Sequence, residues 1–336
     1  MQLIENHSLK NHHTFHLDVK AKAWVSYSSL KELKEILLSD ALKDNKFINI
    51  GSGSNLLFTE DYDGLVMHSE IRFIDQIASD EESVSIRVGS GVVWDDFCKY
   101  AVDHDFYGSE NLSNIPGEVG ASVVQNIGAY GAEVSDIIDY IEAIEVETGK
   151  EVSIEKNQCA YGYRTSRFKN DWKGKYIVTA VVYKLSKTPS FDLEYGDLKK
   201  QFAKDEEITL SKVRQAVIDV RTKKLPDTDK YGNVGSFFTN PIIKKKQYEN
   251  LINVYPSMPS YELEGGLVKI PAAWLIEQCG WRGRSKGGAA VHEKQCLVII
   301  NKGGAVASDI VSLADSIRRT VQDRFDIKIS PEVEYL

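Results

Sequence analysis

Alternating apolar and polar positions in AKAWVSYS (21–28) predict a strand. In SLKELKEILLS (29–39), Leu30, Leu33, Ile36 and Leu37 fall on one helical face. KFINIG (46–51) reads as a short buried strand running into the loop GSGSN, and GLVMHS and SVSIRVGS read as further strands. VWDDFCKYAVDHDF (93–106) sets Trp94, Phe97, Cys98 and Ala101 along one helical stripe. A glycine-rich segment (108–131) precedes strands at 139–147 and 176–185 and a helix at 209–222. From about residue 226 the texture changes, with Pro, Gly and Tyr punctuating YPSMPSYELEGG (255–266) between short helices. The strand CLVIIN (296–301) leads into a long helix on which Ile310, Leu313, Ala314, Ile317, Val321 and Phe325 recur at helical spacing, and DIKISPEVEYL closes the chain as a strand. One run, NVGSFFTNP (233–241), fits neither a helix face nor a good strand. Ser236 stands there between a glycine and two phenylalanines, and by itself the run reads as a buried turn with an incidental hydroxyl.

This order of elements gives an α+β fold class. Boundaries fall near 68 and 225, giving segments 1–68 (with 326–336 returning to it), 69–225 and 226–325. Composition narrows the setting. The 336 residues are 42% hydrophobic and 27% charged, as expected of a globular protein of two or three domains. Net charge is −8 with Lys and Arg scattered, so no basic stripe points to nucleic acid, and any anionic ligand must be met by local donors. Cys98, Cys159, Cys279 and Cys296 lie far apart with no C-x-x-C pair, which argues for reduced thiols and against zinc. His12, His13 and His16 lack further ligands at metal spacing and read as structural or surface residues. The N-terminus lacks the apolar core of a signal peptide and no apolar run has membrane length, so a cytoplasmic protein is expected.

Two loops carry candidate chemistry. IGSGSNLLF (50–58) places Gly51 and Gly53 after a buried strand, where converging backbone N–H groups suit an anion. Alone it reads equally well as a tight turn, since it matches neither the Rossmann fingerprint nor a P-loop. IPGEVGASVVQNIGAYGAEVSD (115–136) is more informative. Glycines 117, 120, 128 and 131 leave its backbone bare, with apolar Ile115, Val124 and Ile127 between them, a surface suited to a flat ring and a phosphate chain. Together the loops favour a bound dinucleotide over two unrelated turns.

These two loops resemble the flavin-binding region of the vanillyl-alcohol-oxidase type of FAD domain. YGYRTSRFK (161–169), KLPDTDKYGNVGSFFTNP (224–241), GGAAVHEKQCLVIIN (287–301) and SPEVEYL (330–336) make the chain similar to the UDP-N-acetylenolpyruvoylglucosamine reductase family over nearly its whole length. Residues 255–285 and Tyr195 resemble the longer of that family's two forms, which carries a substrate-covering loop. The resemblance implies a two-part FAD-binding domain plus a C-terminal α/β substrate-binding domain. It also implies FAD as cofactor, NADPH as co-substrate, a UDP-sugar substrate, and a monomer with no nucleic-acid or membrane partner. Flavin contacts are then expected from Gly51, Ser52, Gly53, Ser54, Asn55 and Leu56 in the first loop. In the second they are expected from Ile115, Pro116, Gly117, Gly120, Ala121, Ser122, Asn126, Ile127, Gly128, Tyr130 and Gly131, with Arg221 on a flavin phosphate or ring oxygen.

The implied reaction adds hydride to an enolpyruvyl ether conjugated with a carboxylate, so negative charge grows on a group already anionic and fixed donors must meet it. Arg164 is the expected guanidinium fork on the carboxylate. Glu332 is expected to assist as a carboxyl that holds a proton through burial; Glu334 shares its face, and the motif favours Glu332. Ser236 is expected to give a proton to the enolate carbon, with Gly235 permitting close approach and Phe237 and Phe238 excluding water. Tyr163, Tyr195, Lys224, Asn240, Tyr261, Arg282 and Gln295 are the expected substrate contacts; Arg282 stands at what looks like a family Lys position, so its diphosphate contact is in doubt. Two other readings stay open: a different FAD-dependent oxidase or dehydrogenase on the same fold, and a non-catalytic flavin-binding sensor.

Overall fold

The computed structural model describes residues 2–39, 42, 46–194, 198–203 and 207–336. The chain folds as two compact units, each assembled from separate stretches: Met1–His7, Ala21–Ser52 and Tyr62–Lys223 in the first, Ser8–Lys20, Gly53–Asp61 and Lys224–Leu336 in the second.

In the first unit a four-stranded sheet runs in the order Ile4–Ser8, Lys20–Tyr27, Tyr62–Ser69, Phe47–Ile50. Its last two neighbour pairs are parallel. The helix Leu30–Leu38 is started by Ser29, whose hydroxyl accepts the Glu32 N–H at 3.2 Å. It buries Leu33 and Ile36 against Val25, Tyr27, Leu65 and Met67, as the periodicity predicts. A five-stranded antiparallel sheet follows in the order Glu151–Glu155, Ile138–Glu145, Tyr176–Ser186, Ser83–Gly89, Ile74–Ser79. The helix Trp94–Asp103 belongs to this sheet's core, where Phe97 stacks on Tyr183 at 4.5 Å and meets Trp94 edge-on at 5.5 Å. The helix Leu210–Lys224 buries Leu210, Val213, Ala216, Val217 and Val220. Pattern alone gives no sign of the outer strands Ile74–Ser79 and Glu151–Glu155. Both are edge strands with most residues exposed, so neither carries a period-two hydrophobic signal.

In the second unit an antiparallel sheet runs Gly232–Ser236, Val298–Asn301, Ala289–Val291, Ser285–Lys286. The long helix Ala307–Phe325 buries the stripe predicted for it, from Ile310 to Phe325. A three-stranded sheet joins Ile242–Lys244, Leu267–Lys269 and Tyr261–Leu263. The terminal strand is shorter than predicted: only Glu334–Tyr335 is extended pairing, parallel with Leu56–Leu57. The run at 233–241 is a strand after all in its first part. Its register against Val298–Asn301 shifts between Asn233 and Ser236, and that bulge removes the alternation by which a strand is recognised. No helix among the described residues is long and apolar enough to cross a membrane.

Phe97 is fully buried with two aromatic partners. Phe97→Ala is expected to destabilise the first unit by about 3–5 kcal/mol, read as a lower denaturant midpoint for that unit.

Candidate active site

In the first unit the strand Phe47–Ile50 delivers Gly51 directly against the second glycine loop. A Cβ at Gly51 would lie 3.2 Å from both the Ala121 Cβ and the Glu118 Oε2, so the two loops approach closely there and any added side chain would push a neighbour aside. The second loop is anchored behind. Gly120 N–H donates to the Ser90 carbonyl at 2.9 Å, Val119 N–H to that of Val92 at 2.9 Å, and Trp94 N–H to that of Gly117 at 3.0 Å. The Ser122 hydroxyl turns inward to the Val119 carbonyl at 2.7 Å. The hydroxyls of Ser52 and Ser113 are buried and have no hydrogen-bond partner among the described residues. Such groups cost about 1–3 kcal/mol each when unmet, and a diphosphate or flavin edge is the kind of acceptor that meets them. Bare backbone and orphaned hydroxyls fit a dinucleotide. Ser113 was missed by sequence reasoning, because a serine in a loop carries no signal until its burial is known.

Arg164 sits at a turn between Gly162 and Thr165 with φ +56°, a conformation that L residues adopt at a cost of about 1–2 kcal/mol. Its guanidinium lies over the Tyr163 ring at 5.2 Å and donates to the carbonyls of Gly128 and, at 3.4 Å, Asn126. Glu133 stands 3.8 Å away. A Cβ at Gly128 would come within 2.6 Å of the Arg164 Nη1, so that bare glycine serves the arginine. Asn126 ties these pieces together. Its amide donates to Glu133 Oε2 at 2.7 Å and to the Gly162 carbonyl at 3.1 Å, and its oxygen accepts the Ser135 N–H at 3.1 Å. Tyr130 and Gly131 form the positive-φ turn of the small hairpin Gly128–Ala129/Ala132–Glu133. Ile127 N–H donates to the Ser122 carbonyl at 3.1 Å, which couples that hairpin to the second loop.

Arg221 donates from Nε to the Asn114 carbonyl at 3.0 Å. Burial draws its pKa downward, opposed by Tyr130 and Asp95, while the Arg164 charge acts in the same direction as burial. Two guanidiniums thus lie close enough to feel each other in a protein of net charge −8. Asp95, paired bidentately with Arg214 at 2.7 and 2.8 Å, also accepts the Asn114 N–H at 2.5 Å and so holds the loop to which Arg221 is tied.

In the second unit, Gly235 has φ +69° and no atom of the described residues within 4 Å of the point where a Cβ would stand, so its backbone angle is what demands glycine. Phe237 and Phe238 are buried, and Phe237 meets Phe238 at 5.1 Å, Tyr335 at 6.2 Å and Phe15 at 6.4 Å. The half-buried Ser236 hydroxyl has no hydrogen-bond partner among the described residues. Phe237 N–H donates to the Leu297 carbonyl at 2.7 Å, and its own carbonyl accepts Glu332 N–H at 2.8 Å. Ser236 and Glu332 are therefore one peptide and one hydrogen bond apart. Glu332 lies just before the short terminal strand, not on it. The Asn55 amide donates to the Glu332 carbonyl at 3.2 Å, and Asn55 O accepts Glu334 N–H at 3.0 Å, so Asn55 fixes the segment carrying Glu332. Gly53 is pinned beside the histidine loop, where a Cβ would fall 2.4 Å from the His12 carbonyl; Ser54 and Leu56 follow it. His13 is buried, its Nε2 is 3.2 Å from the Leu17 carbonyl, and burial lowers its pKa to about 4.

The expected substrate contacts lie on several elements. Lys224 ends its helix, and Asn240 Oδ1 accepts the Ala272 N–H at 2.9 Å. Tyr261 is exposed, with Lys269 5.5 Å above its ring. Arg282 pairs with Glu277 at 2.6 Å and donates to the Glu293 carbonyl at 2.7 Å, and the Glu277 hydrogen bond raises its pKa. Gln295 Oε1 accepts the Leu297 N–H at 3.3 Å. Tyr195 lies outside the described residues.

Residues 227–336 match the family described as "UDP-N-acetylenolpyruvoylglucosamine reductase, C-terminal domain", and residues 21–155 match the family described as "FAD binding domain". The chain is 46% identical over 332 residues to the UDP-N-acetylenolpyruvoylglucosamine reductase of Bacteroides fragilis, covering 99% of each. It is 42% identical over 338 residues to that of Porphyromonas gingivalis, covering 100% of each. In fold it is similar to the crystal structure of the Thermus caldophilus enzyme of the same name, with TM-score 0.69 and 22% identity over 99% of this chain and 98% of that one.

Because the buried Asn126 amide satisfies three half-buried groups at once, Asn126→Ala is expected to cost about 1–3 kcal/mol in unfolding experiments. Proteolysis of the native protein is expected to reveal a loosened 126–133 hairpin.

Proposed function

The chain belongs to the UDP-N-acetylenolpyruvoylglucosamine reductase family, oxidoreductases with an FAD-binding domain, and we propose that it reduces the enolpyruvyl ether of UDP-N-acetylglucosamine enolpyruvate to UDP-N-acetylmuramate with electrons from NADPH. This is a step of peptidoglycan precursor synthesis. Ser52, Ser113 and the bare backbone around Gly51 and Gly120 would hold FAD, which when bound supplies hydride transfer between nicotinamide and substrate. The chain's own residues do the rest. Arg164 holds the substrate carboxylate in its planar fork and stabilises the enolate that forms as hydride arrives. Ser236 gives its hydroxyl proton to the enolate carbon. Glu332, carrying a proton, donates to the developing charge. Lys224, Asn240, Tyr261 and Gln295 bind the nucleotide portion; Arg282, already paired with Glu277, contributes less.

The observation that carries this reading is Ser236, a hydroxyl with no hydrogen-bond partner among the described residues, held on a bulge between Gly235 and the buried Phe237 and joined through Phe237 to the segment of Glu332. The test is spectroscopic. Purified protein is expected to be yellow, to bleach anaerobically with NADPH, and to recover its colour only when the enolpyruvyl sugar nucleotide is added. Failure to bleach would favour a flavin-binding sensor; recovery with unrelated electron acceptors alone would favour another oxidoreductase of this fold. Ser236→Ala is expected to keep flavin reduction by NADPH while turnover of the sugar nucleotide drops about 10²–10⁴-fold. Unchanged turnover would remove Ser236 from the role of proton donor.

A further inference from the structure

Glu118 is a carboxylic acid placed inside the bare loop that the flavin reading, on which this inference rests, assigns to an anionic cofactor. It is buried, and its Oε2 faces the Cα of Gly51 at the contact between the two glycine loops. Its Oε1 faces His68 Nε2 at 3.6 Å, with both side chains largely excluded from solvent. The His68 ring is held from behind by backbone: Nδ1 lies 3.3 Å from the Ile50 carbonyl, an atom that can only accept, which favours the hydrogen on Nδ1, and the Gly51 backbone also hydrogen-bonds the ring. In the neutral ring, Nε2 then presents a lone pair to a carboxyl oxygen. Two lone pairs facing each other repel unless one proton lies on either atom. The ring cannot turn away readily, because Trp24 stacks on it at 5.7 Å and His7 stacks on Trp24 at 5.2 Å.

We propose that Glu118 and His68 form a proton-holding pair of the flavin site, and that FAD binds tightly only while the Glu118 carboxyl retains its proton beside the neutral imidazole. With the proton the pair has no net charge; without it a buried carboxylate stands in the loop that receives a diphosphate. The surrounding charges do not neutralise that carboxylate. Arg72 favours ionisation and Glu70 opposes it, and the Arg72 Nε is taken up by the Gly91 carbonyl at 3.1 Å. The Tyr27 hydroxyl donates to Asn49 at 2.8 Å, and burial raises its pKa, so it stays neutral. Burial is the largest influence on Glu118 and raises its pKa to about 8, while burial lowers that of His68. The proton therefore leaves near pH 8, and binding of an anion holds it in place to higher pH.

The experiment is a titration of FAD, followed by flavin fluorescence, into full-length protein stripped of flavin, at fixed ionic strength between about pH 6 and 9. The wild-type Kd is expected to be flat at low pH and to rise about tenfold from pH 7 to pH 9, the one-proton limit around a pKa of about 8. Glu118→Gln, which stays neutral and can donate to His68 Nε2, is expected to bind FAD with no such rise. A flat wild-type profile, or a variant as steep as wild type, overturns the proposal. If the variant does not fold, wild-type protein decides alone. Calorimetry in two buffers of different ionisation enthalpy near pH 8.5 is expected to show uptake of more than about half a proton per FAD bound, and no uptake overturns the proposal. Absence of FAD binding at every pH would instead remove the flavin reading beneath it.

Discussion

The carboxamide of Asn126 is the point on which the arginine-bearing part of the first unit depends. It is fully buried, its backbone is left-handed, and both its donors and its acceptor are engaged by two stretches of chain, Glu133–Ser135 and Gly162. Glycine 162 is held through it, and the turn that begins there holds Arg164 in a conformation it would not choose alone. In the low-dielectric interior each of these bonds is stronger than in water, and leaving any unmade is correspondingly costly. A residue expected from the sequence to touch the cofactor is also a structural clamp that helps set the direction of a neighbouring guanidinium.

The second unit solves a similar problem largely with backbone. Phe237 places its ring among aromatics while its N–H and carbonyl join the segments of Leu297 and Glu332. Burial of that ring fixes the peptide, and the peptide fixes Ser236 on one side and Glu332 on the other. Asn55 repeats the device from the glycine loop, holding the chain terminus by two hydrogen bonds. A hydroxyl gains nothing in intrinsic acidity from such framing, but the backbone that carries it is already fixed before binding.

Electrostatics follow the same economy of local placement. A chain of net charge −8 cannot attract an anion with its overall field, and instead brings Arg221 and Arg164 within range of each other, with Asp95 limiting their repulsion. Glu118 is the exception to this pattern, a buried acid in the second glycine loop with His68 3.6 Å away.

The strong amphipathic elements were legible in the sequence: the helices Leu30–Leu38, Trp94–Asp103 and Ala307–Phe325 and the strand Tyr176–Ser186 each bury one face or nearly all of their length, and burial writes its period into the residues. The glycine loops and the family motifs were legible too, because bare backbone and fixed spacing need no third dimension to be seen. Edge strands such as Ile74–Ser79 were not, since an exposed strand imposes no pattern, and the bulge at Ser236 hid a strand by breaking its alternation. Tertiary structure alone decided that Asn126 and Asn55 are clamps, that Ser52 and Ser113 are buried without partners, and that Glu118 meets His68. Those facts depend on distances between residues remote in the chain, and sequence patterning constrains only neighbours that share an element.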